Sequence, residues 1–324
     1  MSEMTRRIFF QAAGIAAMVP AFGSGAAAQG QQTQQTDASD IKVESDVVYG
    51  KGGDLDLRLD IYRPLTGTEK RMAVIHIHGG GFTQGSKTGV ASSSRAFARQ
   101  GYVSIASQYR LTGQGRWPAQ IEDVKAAIRW TRANASMLNI DPARVAVAGY
   151  SAGGLMALFA AGTSDQKEFE GNGGNAGVSS KVAACVGFYP AVSANRNLLP
   201  DGADQAAIDA AGAASRISPN FAPTIFLHGL ADTTIPPQSS VNFFEKLRAA
   251  GVKVDLHLFQ GAPHAYEINN PDAAQVSAQL ANLFFERLIV NPREYPPFGG
   301  GRGGGGARGG GGARGAGAAG RGQQ

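Results

Sequence analysis

The sequence predicts an α/β fold, with a mostly parallel central sheet and helices on both faces. Three observations predict it. Short apolar runs alternate with helix-spaced segments along most of the 324 residues. Runs such as Val145 to Ala148 and Ile225 to Leu227 are apolar at consecutive positions, so both faces of those strands are expected to be covered. Hydrophobic residues make up 43% of the chain, enough for one large core.

The elements follow in order. Residues 46–63 alternate apolar and polar side chains around Gly50, Lys51, Gly52 and Gly53, the pattern of a hairpin. Met72 to His78 reads as a strand that stops at Gly79. Residues 88–100 have helical spacing, and Tyr102 to Ala106 is the next strand. Pro118 opens a helix that carries Ile121, Val124, Ala127, Ile128 and Trp130 on one face. Arg144 to Ala148 is a strand and Ala152 to Ala161 the helix after it. Val182 to Phe188, Thr224 to His228 and Val254 to Leu258 are further strands, and Val241 to Ala250 and Ala273 to Val290 are helices. No internal repeat is visible.

The ends are not globular in composition. Residues 1–28 carry Arg6 and Arg7, then Phe9 and Phe10, an alanine-rich apolar stretch, and Ala26, Ala27 and Ala28. This is the pattern of a bacterial export signal of the twin-arginine type, and it places the protein in the periplasm or outside the cell. The apolar run is too short to favour a membrane span. Residues 29–45 are expected to be a disordered polar spacer and residues 46–295 the folded domain. Residues 296–324 form a Gly/Arg-rich tail, expected to be disordered because it has no apolar area to bury.

Formal net charge is +5. Four arginines of the tail (302, 308, 314 and 321) and the +1 of residues 1–28 account for all of it, so the folded part is neutral. The excess charge is poor support for a basic nucleic-acid-binding face, although the tail is expected to attract polyanions weakly. Cys185 is the single cysteine, so no intrachain disulfide is available, and no histidine or cysteine cluster has metal-ligand spacing. No cofactor is implied, and the oligomeric state is not readable.

The chemistry concentrates in Val145 to Gly154: an apolar strand, a turn of small residues, then a helix, with Ser151 at the apex of Gly149-x-Ser151-x-Gly153. That context makes the pattern a nucleophile elbow, in which one hydroxyl is lifted out of a tight turn. The pentad by itself also fits a glycine-rich turn with a bystander serine, so its partners decide. Of five histidines, His76 reads as packed in an apolar strand, His228 as support for the following loop, His257 as half-exposed, and His78 as part of a glycine motif. His264 lies in a loop between the last strand and the last long helix, where a side chain can reach over the carboxyl ends of the strands. Asp232 follows the apolar strand that ends at His228, whereas Asp201, Asp204, Asp209 and Asp255 do not directly follow one. Ser151, Asp232 and His264 are therefore the expected catalytic residues, in that chain order. His78, Gly79, Gly80, Gly81 and Phe82 follow the first long apolar strand directly. Gly80 and Gly81, with Ala152 after the nucleophile, are expected to supply the oxyanion-hole amides.

With those motifs in hand, residues 46–290 resemble α/β-hydrolase-fold esterases with an H-G-G-G motif, of the hormone-sensitive-lipase-like and feruloyl- or acetylxylan-esterase-like branches. The matching pieces are His78 to Phe82, Gln108 to Leu111, Trp117 to Ala119 with Asp123, Asp141 to Arg144, Gly149 to Gly154, Ser218 with Pro219, His228 with Gly229 and Asp232, and His264. The resemblance implies a serine hydrolase that cleaves carboxylic esters through an acyl-enzyme without a cofactor. Tyr109, Arg110 and Asp123 are expected to hold the scaffold. The family often has glycine after the catalytic histidine, where this chain has Ala265, and often carries an N-terminal helical cap that looks minimal here. An open site favours short-acyl or carbohydrate-linked esters, and Val192 to Ala214 is a candidate pocket wall. Two other readings remain open at this point: a secreted serine peptidase of the prolyl-oligopeptidase type, and a non-catalytic binding module with a polyanion-binding tail.

Overall fold

The computed structural model describes residues 41–295. The readings for residues 1–28 and 296–324, and for the spacer up to residue 40, lie outside the described residues. The sheet has eight strands: β1 (Val43–Gly52), β2 (Leu55–Tyr62), β3 (Ala73–Ile77), β4 (Val103–Ser107), β5 (Val145–Tyr150), β6 (Cys185–Phe188), β7 (Thr224–Gly229) and β8 (Val254–Phe259). Their order is β1-β2-β4-β3-β5-β6-β7-β8. The first two form an antiparallel hairpin and β2 pairs antiparallel with β4. Every pair from β4 to β8 is parallel.

Among the described residues seven α-helices connect or flank them: α1 (Ala91–Arg99), α2 (Ala119–Ala133), α3 (Ala135–Leu138), α4 (Ala152–Gly162), α5 (Gln205–Ala210), α6 (Gln238–Ala249) and α7 (Pro271–Phe285). Strand residues alternate between two cores because successive side chains leave opposite faces. Ile75, Ile77, Val145 and Val147 pack with α2, α4 and Phe243 of α6. Val74, Ala146 and Ala148 pack with Phe97 of α1 and Phe284 and Phe285 of α7. The helix following the nucleophile turn, α4, is buried from Ala152 to Ala161, as a helix apolar on all sides must be. No helix of the described residues is long and apolar enough to cross a membrane.

Several boundaries differ from the sequence reading. The folded part begins before residue 46: Ile41 is buried and Val43 pairs with Tyr62, so the last residues assigned to the spacer complete the edge strand. Strand β6 starts at Cys185 rather than Val182. The last helix starts two residues early, with Pro271 in its first turn and the Asn270 side chain accepting from the Ala273 amide at 3.1 Å. Its regular part ends at Phe285, and Glu286–Val290 continues as a π-helical turn that apolar periodicity does not distinguish.

Candidate active site

The elbow is built by exclusion of side chains. A Cβ on Gly149 would stand 2.3 Å from the Gly153 carbonyl oxygen, and one on Gly153 would stand 2.1 Å from that of Ile77. Glycine is the residue that fits both places. Ser151 between them has φ 53° and ψ −117°, a strained conformation for a residue with a side chain. The turn is held on both sides: the Ser151 amide donates to Phe188 O at 3.1 Å, and Ser151 O accepts from Gly154 and Ala191 amides, each at 2.9 Å. Beneath it, Tyr150 stacks on Phe188 at 4.4 Å. The Tyr150 hydroxyl meets His76 Nδ1 at 2.8 Å, and His76 Nε2 meets Ser104 Oγ at 2.7 Å. His76 is packed as expected, and burial pushes its pKa down to about 3.

Ser151, His264 and Asp232 come together from three loops at the carboxyl ends of β5, β8 and β7. His264 Nε2 is 3.0 Å from Ser151 Oγ, and His264 Nδ1 is 2.7 Å from Asp232 Oδ2. The partners fix the tautomer: Nδ1–H faces a carboxylate, which leaves the Nε2 lone pair for the serine hydroxyl. Asp232 is held in turn. Its Oδ1 accepts the Thr234 and Ile235 amides at 2.8 and 2.9 Å. Its Oδ2 also meets His228 Nε2 at 3.2 Å. Burial pushes the Asp232 pKa up, but the hydrogen bonds from His264, Ile235 and Thr234 outweigh it and hold the carboxylate below its ordinary range. His228 supports this loop: its other contacts are Ile235 O at 2.9 Å and Ser240 Oγ at 2.8 Å, and burial lowers its pKa.

Over Ser151 opens a cavity of about 480 Å³, with Gly80, Gly81, Val90, Tyr189, Thr234 and Ile268 in its walls. Gly80 (φ 116°) and Gly81 (φ 61°) take left-handed conformations, and a Cβ on Gly80 would stand 2.0 Å from Gln84 O. Their amides meet no acceptor among the described residues, while Gly80 O is taken by the Thr83 and Gln84 amides. Ala152 opens α4, where first-turn amides have no partner within the helix. His78 anchors the loop from below. Its ring stacks on Tyr109 at 4.4 Å and its Nδ1–H donates to Gly79 O at 2.8 Å. Burial lowers its pKa to about 4, which keeps it neutral. Arg110 grips Asp123 with Nε and Nη2 at 2.8 and 2.7 Å, away from the cavity walls, the scaffold arrangement expected of that pair.

The segment Val192 to Ala214 does not line this cavity. Part of it lines a separate one with Trp117, Phe169 and Arg216. Its sequence is rich in small residues, and nothing in it distinguishes one cavity wall from another. The reading also passed over Glu267 and Tyr189. Glu267 is 1% exposed, and Tyr189 packs edge-on against the His264 ring with centroids 4.6 Å apart. A lone glutamate in a polar loop carries no sequence signal of burial, and Tyr189 reads as the apolar end of a strand.

A family model described as BD-FAE matches residues 59–247. The chain belongs to the BD-FAE family. The match contains Ser151, Asp232 and the glycine loop, and ends before His264. Among individual relatives, the chain is 30% identical over 263 residues to Esterase LipC of Mycobacterium tuberculosis, a match covering 75% of this chain and 64% of that protein. It is 31% identical over 251 residues to the probable carboxylic ester hydrolase LipM of the same organism, covering 71% and 57%. The chain therefore spans about three-fifths of the length of these curated relatives. Among solved structures, the esterase Est2 of Thermogutta terrifontis with butyrate bound superposes with a TM-score of 0.66 at 28% identity, covering 79% of this chain and 97% of that one. The same esterase with propionate bound matches equally well. These structures and the strand order make this BD-FAE member an α/β-hydrolase fold.

Proposed function

We propose that this protein hydrolyses carboxylic esters through an acyl-enzyme, with Ser151 as nucleophile, His264 as general base and then acid, and Asp232 as the group that orients the imidazole. One observation carries the reading: the unbroken hydrogen-bonded run Asp232–His264–Ser151 at 2.7 and 3.0 Å, beside an open cavity.

His264 Nε2 takes the serine proton as Oγ attacks the ester carbonyl carbon. The carbonyl π pair moves onto oxygen, and the amides of Gly80, Gly81 and Ala152 receive it. A single donor in such a hole contributes about 2.7–4 kcal/mol to the transition state. The imidazolium then protonates the leaving alcohol, and the C–O bond breaks to give the acyl-serine. Water then gives a proton to His264 as its oxygen attacks the acyl carbon; the intermediate collapses, the bond from that carbon to Ser151 Oγ breaks, His264 returns the proton to Oγ, and the carboxylic acid leaves.

The substrate in this reading is a short-acyl or carbohydrate-linked ester. The cavity size supports it, as do the esterase names of the relatives and the butyrate and propionate seen in the Thermogutta terrifontis esterase. Residues 1–28 would carry the protein out of the cytoplasm, and the tail of residues 296–324 would add a weak attraction to polyanions. Hydrolysis of acetyl, butyryl and palmitoyl esters, acetylated xylan and feruloyl esters tests the substrate class, and a palmitoyl preference refutes it. Ser151→Ala tests the nucleophile: the rate should fall by at least about 10⁴-fold. Retention of more than a few per cent of the wild-type rate would overturn the assignment.

A further inference from the structure

Acyl transfer as derived leaves unused a buried carboxyl close to the reaction centre. Glu267 sits three residues beyond His264 on the same loop, 1% exposed. The Tyr189 hydroxyl donates to its Oε1 at 2.5 Å, while its Oε2 is buried and has no hydrogen-bond partner among the described residues. Glu267 forms no ion pair among the described residues, so the Tyr189 hydrogen bond is its principal side-chain tie. A buried carboxyl so thinly partnered is unfavourable for folding, and an apolar side chain in its place would not carry that penalty.

Tyr189 links this group to the reaction centre. Its ring lies edge-on to the His264 imidazole, with centroids 4.6 Å apart at 62°, and it forms part of the cavity wall. Its amide is tied to Leu227 O at 2.8 Å. The backbone is left-handed at both ends of the contact, at Tyr189 (φ 36°) and at Ala265 (φ 57°). Non-glycine residues hold such conformations only where their surroundings enforce them.

We propose that Glu267, acting through Tyr189, is a positioning residue for His264. The Tyr189–Glu267 hydrogen bond clamps the phenol ring against the imidazole and keeps it in the one rotamer that meets Asp232 and Ser151 together. The proposal rests on the acyl-transfer reading of the site. It makes the clamp responsive to pH. Burial raises the Glu267 pKa to about 7. The other titratable groups around it are the phenols of Tyr150, Tyr189 and Tyr266, all kept neutral by burial, and His264 itself. When Glu267 is ionised, its bond from Tyr189 is charge-assisted, in the short range typical of O–H···O⁻ pairs. Protonation replaces it with a weaker neutral bond and loosens the clamp.

The test compares wild type, Glu267→Gln, Tyr189→Phe and the double variant in steady-state hydrolysis of p-nitrophenyl butyrate from pH 5 to 9. Each single variant should lose about 10- to 100-fold in kcat, the size expected when a reacting group is displaced by a fraction of an ångström to 1 Å. KM should change by less than about twofold, because ground-state binding is not what is lost. The double variant should be no worse than the poorer single one, since both cut the same link. The acid limb of the kcat profile should be steeper than one proton in wild type and follow one proton in Glu267→Gln. The proposal is overturned if either folded single variant keeps wild-type kcat, or if the double loss equals the product of the single losses. If Glu267→Gln fails to fold, Tyr189→Phe decides on kcat alone. Ser151→Ala run alongside separates the two levels. Activity in that variant removes the acyl-transfer reading, whereas an inactive Ser151→Ala with an unchanged Tyr189→Phe removes only the positioning role.

Discussion

Two buried carboxylates flank His264, and they are furnished in opposite ways. Asp232 has both oxygens filled: two backbone amides on Oδ1, and two imidazoles on Oδ2. Glu267 has one phenol on Oε1 and nothing on Oε2 among the described residues. Both are nearly inaccessible, at 6% and 1% exposure, yet their pKa values move in opposite directions. The contrast teaches that burial alone does not decide ionisation. What decides it is how many donors the fold brings to the charge. The turn after β7 supplies amides to Asp232 because its backbone curls around the side chain. The turn after His264 gives Glu267 little more than one hydroxyl borrowed from the end of β6.

The largest effect should come from breaking the well-furnished side. In Asp232→Asn the amide cannot hold the His264 tautomer, and kcat should drop on the order of 10⁴-fold in stopped assays at neutral pH. Glu267→Gln should lose only about 10- to 100-fold. If the two losses came out equal, or reversed, the distinction between orienting and clamping would collapse.

Stability against pH sharpens the contrast at a smaller scale. The Glu267 pKa rises from 4.5 to about 7 on folding, so the native state binds the extra proton between those values. Stability should therefore fall as pH rises from about 4.5 to about 7, by up to about 3 kcal/mol, and level off above. Asp232, with its pKa lowered, acts in the other sense: its contribution is present above the ordinary range and is lost as pH falls through the native value. Urea unfolding of wild type and Glu267→Gln at pH 5 and pH 8 reads the first effect, and only wild type should show the Glu267 slope. The smallest change concerns the bridge between the two carboxylate sites. Ala265 has φ 57°, where glycine carries no steric penalty. Ala265→Gly should gain about 0.5 kcal/mol after its greater unfolded-state entropy is offset, visible as a small rise in Tm.

Much of the molecule is legible in its sequence. Strands such as β5 and β7 are apolar on both faces, so their identity did not depend on knowing what covered them. Each residue of the Asp232–His264–Ser151 run follows a strand, and chain order together with strand ends places them on one edge of a parallel sheet. What was not legible depends on contacts between distant segments. The register of the first strand extends back to Val43 because Tyr62 needs a partner, which local polarity conceals. The wall of the cavity draws on Gln84 to Ser86, Gly89, Val90 and Ile268 rather than on residues 192–214, because the loop after β3 folds over the elbow. Glu267 was invisible for the same reason: a charged residue announces exposure, and only the packing of Tyr189 above it says otherwise.

The glycine contacts beneath Ser151 carry a consequence for how this scaffold can diversify. With Gly149 against the Gly153 carbonyl and Gly153 against those of Ile77 and His78, the floor of the site has no room for a single added methyl. Substitution there is closed, and new specificity must be written on the rim, where exposed Gln84 borders the cavity and Ile268 stands 43% exposed. The proposed reaction and its selectivity are thus carried by separately mutable parts of the chain: a foundation with no room for added atoms, and a margin that can be redrawn one side chain at a time.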